Sequence, residues 1–158
     1  MKNAFLIAAS LFVLVAGAAA AADNSVFPQP SGWSRISSTA AADPNRTVQQ
    51  WHIAGDVASV TFVHDTTTPY ADAVAAIETN FSTNKIKPAV DKDLPCQGKT
   101  AHEVDFNVGP DGHQLTVQRV VVPDGTGVAT VTYARAADAP FDPDVKKSET
   151  AFCASSGT

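Results

Sequence analysis

The chain has 158 residues, of which 44% are hydrophobic and 17% charged, and its formal net charge at pH 7 is −5. This length is ordinary for a single domain with a hydrophobic core of its own. Only 11 residues are lysine or arginine, so nucleic acid and anionic membrane surfaces are disfavoured as partners, because both require a clustered basic surface.

Residues 1–22 have the layout of a secretory signal peptide. Lys2 is a short positive region, an apolar run extends from Ala4 to about Ala16, and small residues continue to Ala22. A retained membrane anchor is the less favoured alternative, because a membrane span needs roughly 20 apolar residues. We therefore expect a periplasmic or secreted protein that does not span the membrane after signal removal.

Residues 23–31 are polar and contain prolines, which predicts a flexible lead-in, and residues 32–158 are predicted to form a single domain. Strands are expected at residues 32–38, 47–53 and 57–63, the last two paired through a short turn. In the third strand apolar and polar residues alternate. This alternation indicates a strand that is buried on one face.

Helical periodicity follows the third strand. Thr68 is predicted to be the N-cap and Pro69 the first residue of a helix that ends near Asn84. Its apolar stripe consists of Tyr70, Val74, Ile77 and Phe81. The segment that follows contains Pro88 and Pro95 and is predicted to be a connection without regular structure.

Strands at residues 101–108, 114–122 and 128–134 are expected to form an antiparallel meander, since glycine-bearing turns separate them. Asp142 and Pro143 then predict the N-cap and first residue of a C-terminal helix. The predicted order is β-β-β-α-β-β-β-α. It indicates an α+β fold in which helices pack on an antiparallel sheet.

This order resembles that of small exported bacterial proteins with a PsbP/Mog1-like fold. The adjacent Gly32 and Trp33 near the mature N-terminus, and a Cys-x-Gly motif at Cys96 and Gly98, contribute to the resemblance. The likeness is topological and covers most of the mature chain. It implies a non-catalytic accessory role in binding a larger assembly.

Cys96 and Cys153 are the only cysteines, and in an exported chain their simplest arrangement is a disulfide bond. The alternative is a catalytic Cys96 with His102, but no nucleophile motif surrounds this cysteine. Strand alternation places His102 on the inward face, and it places Glu103 and Asp105 on a solvated acidic face. The histidine and the two acids are therefore not predicted to form one cluster.

Other polar and aromatic residues are weaker candidates for a site. Trp33 and Trp51 are predicted to contribute to any binding surface, because an aromatic ring with a polar group suits such surfaces. Arg119 interrupts an apolar strand, so its charge needs a partner or an exposed strand end. His64 and His113 stand beside aspartates in loops. Turn chemistry is the preferred interpretation, although a metal or acid–base site remains the alternative.

No signature of acyl transfer or phosphate binding occurs, and no metal or other cofactor is predicted. The leading hypothesis is an exported, non-enzymatic domain that binds a protein or a small-molecule ligand. The alternative is a secreted, hydrolase-like enzyme with a site assembled from loop histidines and aspartates. A structural role in the cell envelope is the third hypothesis.

Overall fold

The computed structural model describes residues 26–36, 43–53, 58–110 and 113–155. The strands are β1 (Ser34–Ile36), β2 (Arg46–His52), β3 (Ser59–Asp65), β4 (Val90–Cys96), β5 (Lys99–Val108), β6 (Leu115–Asp124) and β7 (Gly127–Ala136). The helices are α1 (Tyr70–Asn84) and α2 (Pro143–Ala154). Neither helix is long and apolar enough to cross a membrane. The predicted signal peptide lies outside the described residues.

The strands form one seven-stranded sheet in the order β1-β2-β3-β7-β6-β5-β4. Every neighbouring pair is antiparallel. The predicted pairing of the second and third strands is confirmed, as is the meander that β5, β6 and β7 form. The architecture is therefore α+β and rich in sheet.

The structure contains one strand, β4, that the order β-β-β-α-β-β-β-α lacks. Pro95 lies within this strand, and its presence favoured the wrong prediction of a connection without regular structure. Because β4 is an edge strand, it tolerates a residue that cannot donate to the hydrogen-bond ladder. The charged side chains of Asp91, Lys92 and Asp93 are exposed, which is how an edge avoids pairing with other chains.

A two-residue turn joins β4 to β5. Cys96 pairs with Lys99, and the intervening Gln97 (φ 55°) and Gly98 (φ 69°) both have left-handed backbone conformations. This is the conformation that a type I′ hairpin requires. Cys96 therefore lies at the end of a strand and not in an irregular approach to one.

Apolar clusters cover both faces of the sheet. The cluster beneath α1 includes Ile77, Phe81, Val104, Phe106 and Val121. The cluster beneath α2 includes Phe62, Val120, Val131, Val145 and Phe152. Since Val120 and Val121 are consecutive and lie in different clusters, β6 is buried on both sides.

The start of α2 agrees with the prediction. The Asp142 carboxylate accepts hydrogen bonds from the backbone N–H groups of Asp144 at 2.7 Å and Val145 at 3.2 Å. Pro143 is the first helical residue. These bonds satisfy two N–H groups that have no partner within the helix, and they set the position from which α2 crosses the sheet.

The start of α1 differs by one residue, because Pro69 is the N-cap and Tyr70 the first helical residue. The Thr68 hydroxyl does not cap the helix and instead donates to the Asp65 carboxylate at 2.9 Å. Backbone and hydroxyl hydrogen bonds from Thr67, with further bonds from Thr68, lower the pKa of Asp65 to about 2. Asp65 therefore organises the turn before α1.

Part of the segment that was predicted to be a flexible lead-in packs into the core. Phe27 is 1% exposed, and its ring lies 5.8 Å from that of Trp51 and 5.6 Å from that of Phe152 between centroids. The backbone N–H of Phe27 also donates to the Gln49 side chain at 3.3 Å. The packed domain therefore includes Phe27 and does not begin at residue 32.

Candidate functional site

A cavity of about 200 Å³ lies between α2 and the sheet, and we call it the α2 cavity. The sheet contributes Leu94, Glu103, Gln118, Val120 and Val131 to its lining. Helix α2 contributes Lys146, Glu149, Thr150, Phe152 and Cys153. The cavity thus combines apolar walls with several buried polar groups.

The predicted disulfide bond is confirmed and holds one side of this cavity. It joins Cys96 at the end of β4 to Cys153 in the last turn of α2. The Gln97 backbone N–H donates to the Cys153 carbonyl at 2.7 Å, and the Gln97 side chain donates to the Phe152 carbonyl at 3.2 Å. Because Cys96 is bonded to Cys153, the alternative of a catalytic Cys96 with His102 is wrong.

Glu103 is buried beneath α2, where the sequence predicted a solvated acidic face. It is 9% exposed. Its Oε1 accepts a 2.7 Å hydrogen bond from Gln118, and its Oε2 lies 3.3 Å from the Lys92 ammonium group. The prediction assumed that only one face of the strand is buried, whereas helices cover both. Glu103 is therefore a paired carboxylate inside the domain.

Gln118 carries a polar atom without a partner at the same place. The residue is 5% exposed, and its Nε2 donates to Glu103. Its Oε1 is buried and has no hydrogen-bond partner among the described residues. A buried, unsatisfied carbonyl destabilises the protein by about 1 to 3 kcal/mol, and Gln118 is one of the residues that line the α2 cavity.

Glu149 carries a second buried oxygen without a hydrogen-bond partner. It is 9% exposed, its Oε1 has no partner in the described part of the chain, and its Oε2 lies 3.9 Å from the Lys146 ammonium group. Burial raises the pKa of Glu149 to about 7, and the negative charges of Glu103 and Asp105 add to this rise while Lys146 and Arg135 oppose it. The carboxyl group therefore changes its charge near neutral pH.

Glu149 was not predicted as a site residue, although the sequence contains a signal for it. Glu149 lies four residues after Val145 and three before Phe152, which places all three on one face of a helix. Val145 and Phe152 form the apolar face of α2. An acid at a position of that face therefore indicates a buried carboxylate.

Asp105 and Arg135 extend the polar region beyond the cavity lining. Burial, followed by the charge of Glu103, raises the pKa of Asp105. Asp105 Oδ1 and Arg135 Nη1 are buried without hydrogen-bond partners among the described residues. Arg135 also donates to the Ala139 carbonyl at 3.1 Å, and its guanidinium lies 5.3 Å from the centroid of the Phe141 ring. The hydrogen bond to Ala139 and the contact with the Phe141 ring therefore fix the position of the Arg135 side chain.

Trp33 and Trp51, the predicted binding residues, lie in the core. They are 3% and 2% exposed, and neither lines the α2 cavity. Phe27 packs on Trp51, and Trp33 contacts Tyr133 with ring centroids 6.1 Å apart. The described residues therefore contain no binding surface of exposed tryptophan rings.

His64 and His113, which were predicted to lie in loops, do not converge on one site, and His64 lies in β3. His64 Nε2 lies 2.7 Å from Asp124 Oδ2, whereas the Asp65 carboxylate accepts hydrogen bonds from the turn that follows it. His113 is exposed, and Asp111 lies outside the described residues. Within the described ranges, no group of three or more His, Cys, Asp or Glu side chains is placed to hold a metal ion.

His102 is separated from the α2 cavity by the sheet. Its ring nitrogens lie 3.5 Å from an Asp91 oxygen and 3.4 Å from an Asp93 oxygen, both on the edge strand β4. The prediction that His102 and Glu103 point to opposite faces is confirmed, since Val104, the strand neighbour of Glu103, belongs to the cluster beneath α1. His102 is therefore not available as a base for the cavity carboxylates.

No protein-family model and no curated protein matches the chain. Solved structures show limited likeness, among them a Pseudomonas aeruginosa protein of unknown function with 19% identity and a TM-score of 0.47, covering 75% of this chain and 90% of that one. Mycobacterium tuberculosis LpqN, a protein involved in cell envelope biogenesis, has 14% identity and a TM-score of 0.36, covering 84% and 79%.

A STAR-related lipid transfer protein from Xanthomonas axonopodis is also similar, with 15% identity and a TM-score of 0.31, covering 81% of this chain and 94% of that one. Likeness at this level assigns no ligand and no activity to the chain. The resemblance to PsbP/Mog1-like proteins stays a prediction.

Proposed function

We propose that this chain is an exported, non-enzymatic domain that binds a small amine in the α2 cavity. The observation that carries the proposal is a pair of buried, unpartnered oxygens, on Gln118 and Glu149, in the lining of one cavity. A protonated amine supplies both the positive charge and the hydrogen-bond donors that these oxygens lack.

The burial of Glu149 without a close ion pair favours a cation over an anion as the ligand. Glu103 is paired with Lys92, whereas Glu149 has Lys146 at 3.9 Å and is further stabilised in its charged form only by the more distant Arg135. A buried carboxylate with so little compensation is costly when it ionises, which is reflected in the raised pKa of Glu149. A ligand ammonium group beside Glu149 lowers that pKa again and stabilises the ionised form.

The apolar part of the lining limits the rest of the ligand. Leu94, Val120, Val131 and Phe152 provide aliphatic and aromatic walls. At about 200 Å³, the cavity is smaller than the roughly 300 to 1,000 Å³ of pockets for drug-sized ligands. These dimensions favour a compact apolar body next to the amine.

The disulfide bond and the sequence of the N-terminus support an exported location. The bond between Cys96 and Cys153 is of a kind that persists in oxidising compartments. This agrees with the predicted signal peptide at residues 1–22. We therefore propose the periplasm or the extracellular space as the place where the domain acts.

An enzyme is the second candidate function, and the pKa of Glu149 is the observation that favours it. A carboxyl group with a pKa of about 7 is suited to general acid–base catalysis. Among the described residues that line the cavity there is no histidine or free thiol, and Thr150 carries the one hydroxyl group. Binding is therefore the better-supported function.

Isothermal titration calorimetry with benzylamine and benzyl alcohol at pH 8 tests the proposal. We expect benzylamine to bind at least about tenfold more tightly than the alcohol, because a charge-assisted hydrogen bond contributes roughly 1.5 to 3 kcal/mol. Glu149→Gln should remove that difference, whereas Glu78→Gln, an exposed acid on α1, should preserve it. Equal affinities for amine and alcohol would overturn the proposed function.

A further inference from the structure

A second candidate site lies on the other face of the sheet, beside α1. It consists of adjoining cavities of about 340 and 430 Å³, which share Ala73, Arg119 and Thr130 in their linings. We call the two together the α1 groove. Arg119 stands where the cavities meet.

Arg119 has no counter-ion within the described part of the protein. It lies in the middle of β6 and is partly buried, and its Nε donates to the Thr132 hydroxyl at 3.3 Å. No carboxylate pairs with it, and burial alone lowers its pKa. A cation inside an apolar strand needs a partner of opposite charge or strong hydration, and the described residues place no carboxylate within ion-pair distance of Arg119.

The two ends of the α1 groove differ in character. Beneath α1 the lining is mainly apolar and includes Ile77, Phe81, Ile86, Phe106 and Val108. On the other side of Arg119 the lining includes Thr61, Thr68 and Thr132, together with Arg46 and Asp65. The charges of Arg46 and Asp65 cancel, so the groove as a whole carries the single positive charge of Arg119.

We infer that the α1 groove binds an amphipathic monocarboxylate, with the carboxylate on Arg119 and the hydrocarbon chain beneath α1 against Phe81 and Phe106. A guanidinium group presents parallel N–H donors that match the two oxygens of a carboxylate. The Thr132 hydroxyl accepts from Arg119, so its own proton is available to a ligand oxygen. One uncompensated cation matches one negative charge, which favours a carboxylate over a phosphate dianion.

This site is independent of the amine site. Arg119 points to the α1 face, whereas its strand neighbours Gln118 and Val120 line the α2 cavity. Either proposal can therefore fail while the other stands.

Calorimetric titration with decanoate, decanol and decyl phosphate, each below its micellar concentration, tests the inference. We expect decanoate to bind at least about tenfold more tightly than decanol, because it adds a charge-assisted hydrogen bond to Arg119. Each methylene removed from the chain should weaken binding about fourfold, since burial of one CH₂ contributes about 0.8 kcal/mol. Tighter binding of decyl phosphate than of decanoate would contradict the monocarboxylate assignment.

Arg119→Met keeps the aliphatic stem and removes the charge. It should weaken decanoate binding at least about tenfold while leaving the affinity for decanol and for benzylamine unchanged. Arg35→Met, an exposed arginine on β1 outside both linings, is the matched control and should bind decanoate like the original chain.

Arg119→Lys provides a second variant if Arg119→Met does not fold. It retains the charge but loses the two-pronged contact, so decanoate affinity should fall while decanol affinity stays constant. Decanoate binding that is the same in the original chain and in whichever Arg119 variant folds would overturn the inference. Absence of decanoate binding to the original chain would overturn it as well.

Discussion

The side-chain amide of Gln118 donates a 2.7 Å hydrogen bond to the carboxylate of Glu103. Because the amide nitrogen is engaged in this way, the carbonyl oxygen of Gln118 is the end of the side chain that has no partner among the described residues. Glu103 is itself held by Lys92, so it orients Gln118 and does not compete for a ligand. Glu149, on the opposite wall, then supplies the charge for binding.

Replacing Glu149 should stabilise the domain at neutral pH. Its pKa is about 7 in the folded protein and 4.5 ordinarily, so the folded state holds this proton more tightly than the unfolded state. The resulting stability is present in full below pH 4.5 and is lost as the pH rises toward 7. The loss corresponds to about 3 kcal/mol.

Glu149→Gln removes this dependence, so its free energy of unfolding in urea should exceed that of the original chain at pH 8. Between pH 5 and pH 8 the free energy of unfolding of Glu149→Gln should change less with pH than that of the original chain. Glu78→Gln should show the same pH dependence as the original chain. An unchanged slope in Glu149→Gln would show that the carboxyl group is not buried as described.

Removal of the disulfide bond should destabilise the domain strongly. The bond closes a loop with a sequence separation of 57, and the loop-entropy estimate for such a closure is about 4 kcal/mol. We expect Cys96→Ser combined with Cys153→Ser to lose about this much in urea unfolding. Addition of reductant should lower the stability of the original chain and leave the double variant unchanged. A loss below about 1 kcal/mol would mean that the bond contributes little.

Gly98 tests the type I′ turn between β4 and β5. Its φ of 69° is in the left-handed region, and a Cβ atom added there meets nothing within 4 Å. Gly98→Ala should therefore destabilise through backbone conformation alone, by about 1 to 2 kcal/mol. Gly98→Asn is the control and should lose less, because asparagine adopts this conformation more readily. Equal losses, measured by thermal unfolding, would argue against the turn.

Phe27 tests whether the segment before β1 belongs to the domain. Because its ring is buried against other aromatic rings, Phe27→Ala should lower the free energy of unfolding by about 3 to 5 kcal/mol. Its neighbour Val26 is 50% exposed, so Val26→Ala should change stability by less than about 0.5 kcal/mol. Similar, small effects of both substitutions would restore the prediction of a flexible lead-in.

Local signals predicted much of the fold. Asp142 followed by Pro143 predicted the start of α2, because a side-chain cap and a fixed φ act within a few residues. The disulfide between Cys96 and Cys153 followed from the cysteine count and the expected export. The strand β4 was not predicted because a proline usually indicates the end of a strand. Pro95 is tolerated in β4 because this strand lies at the edge of the sheet.

The candidate site was harder to predict, because it depends on what covers each face of the sheet. Alternation along β5 correctly separated His102 from Glu103, but it could not reveal that α2 covers Glu103. The uninterrupted apolar run at Val120, Val121 and Val122 was the available signal, since a strand buried on both faces has such a run. Glu149 then follows from its place between Val145 and Phe152.

An NMR titration of the ¹⁵N-labelled chain with benzylamine at pH 8 tests the amine-binding proposal most directly. We predict chemical-shift changes concentrated at the amides of Glu103, Gln118, Glu149 and Phe152, around the α2 cavity, with saturation at one equivalent. The amides of Asp72 and Glu78, two exposed residues of α1 on the other face of the sheet, provide the unperturbed comparison. Changes that centre on another surface, or that fail to saturate, would contradict the proposal.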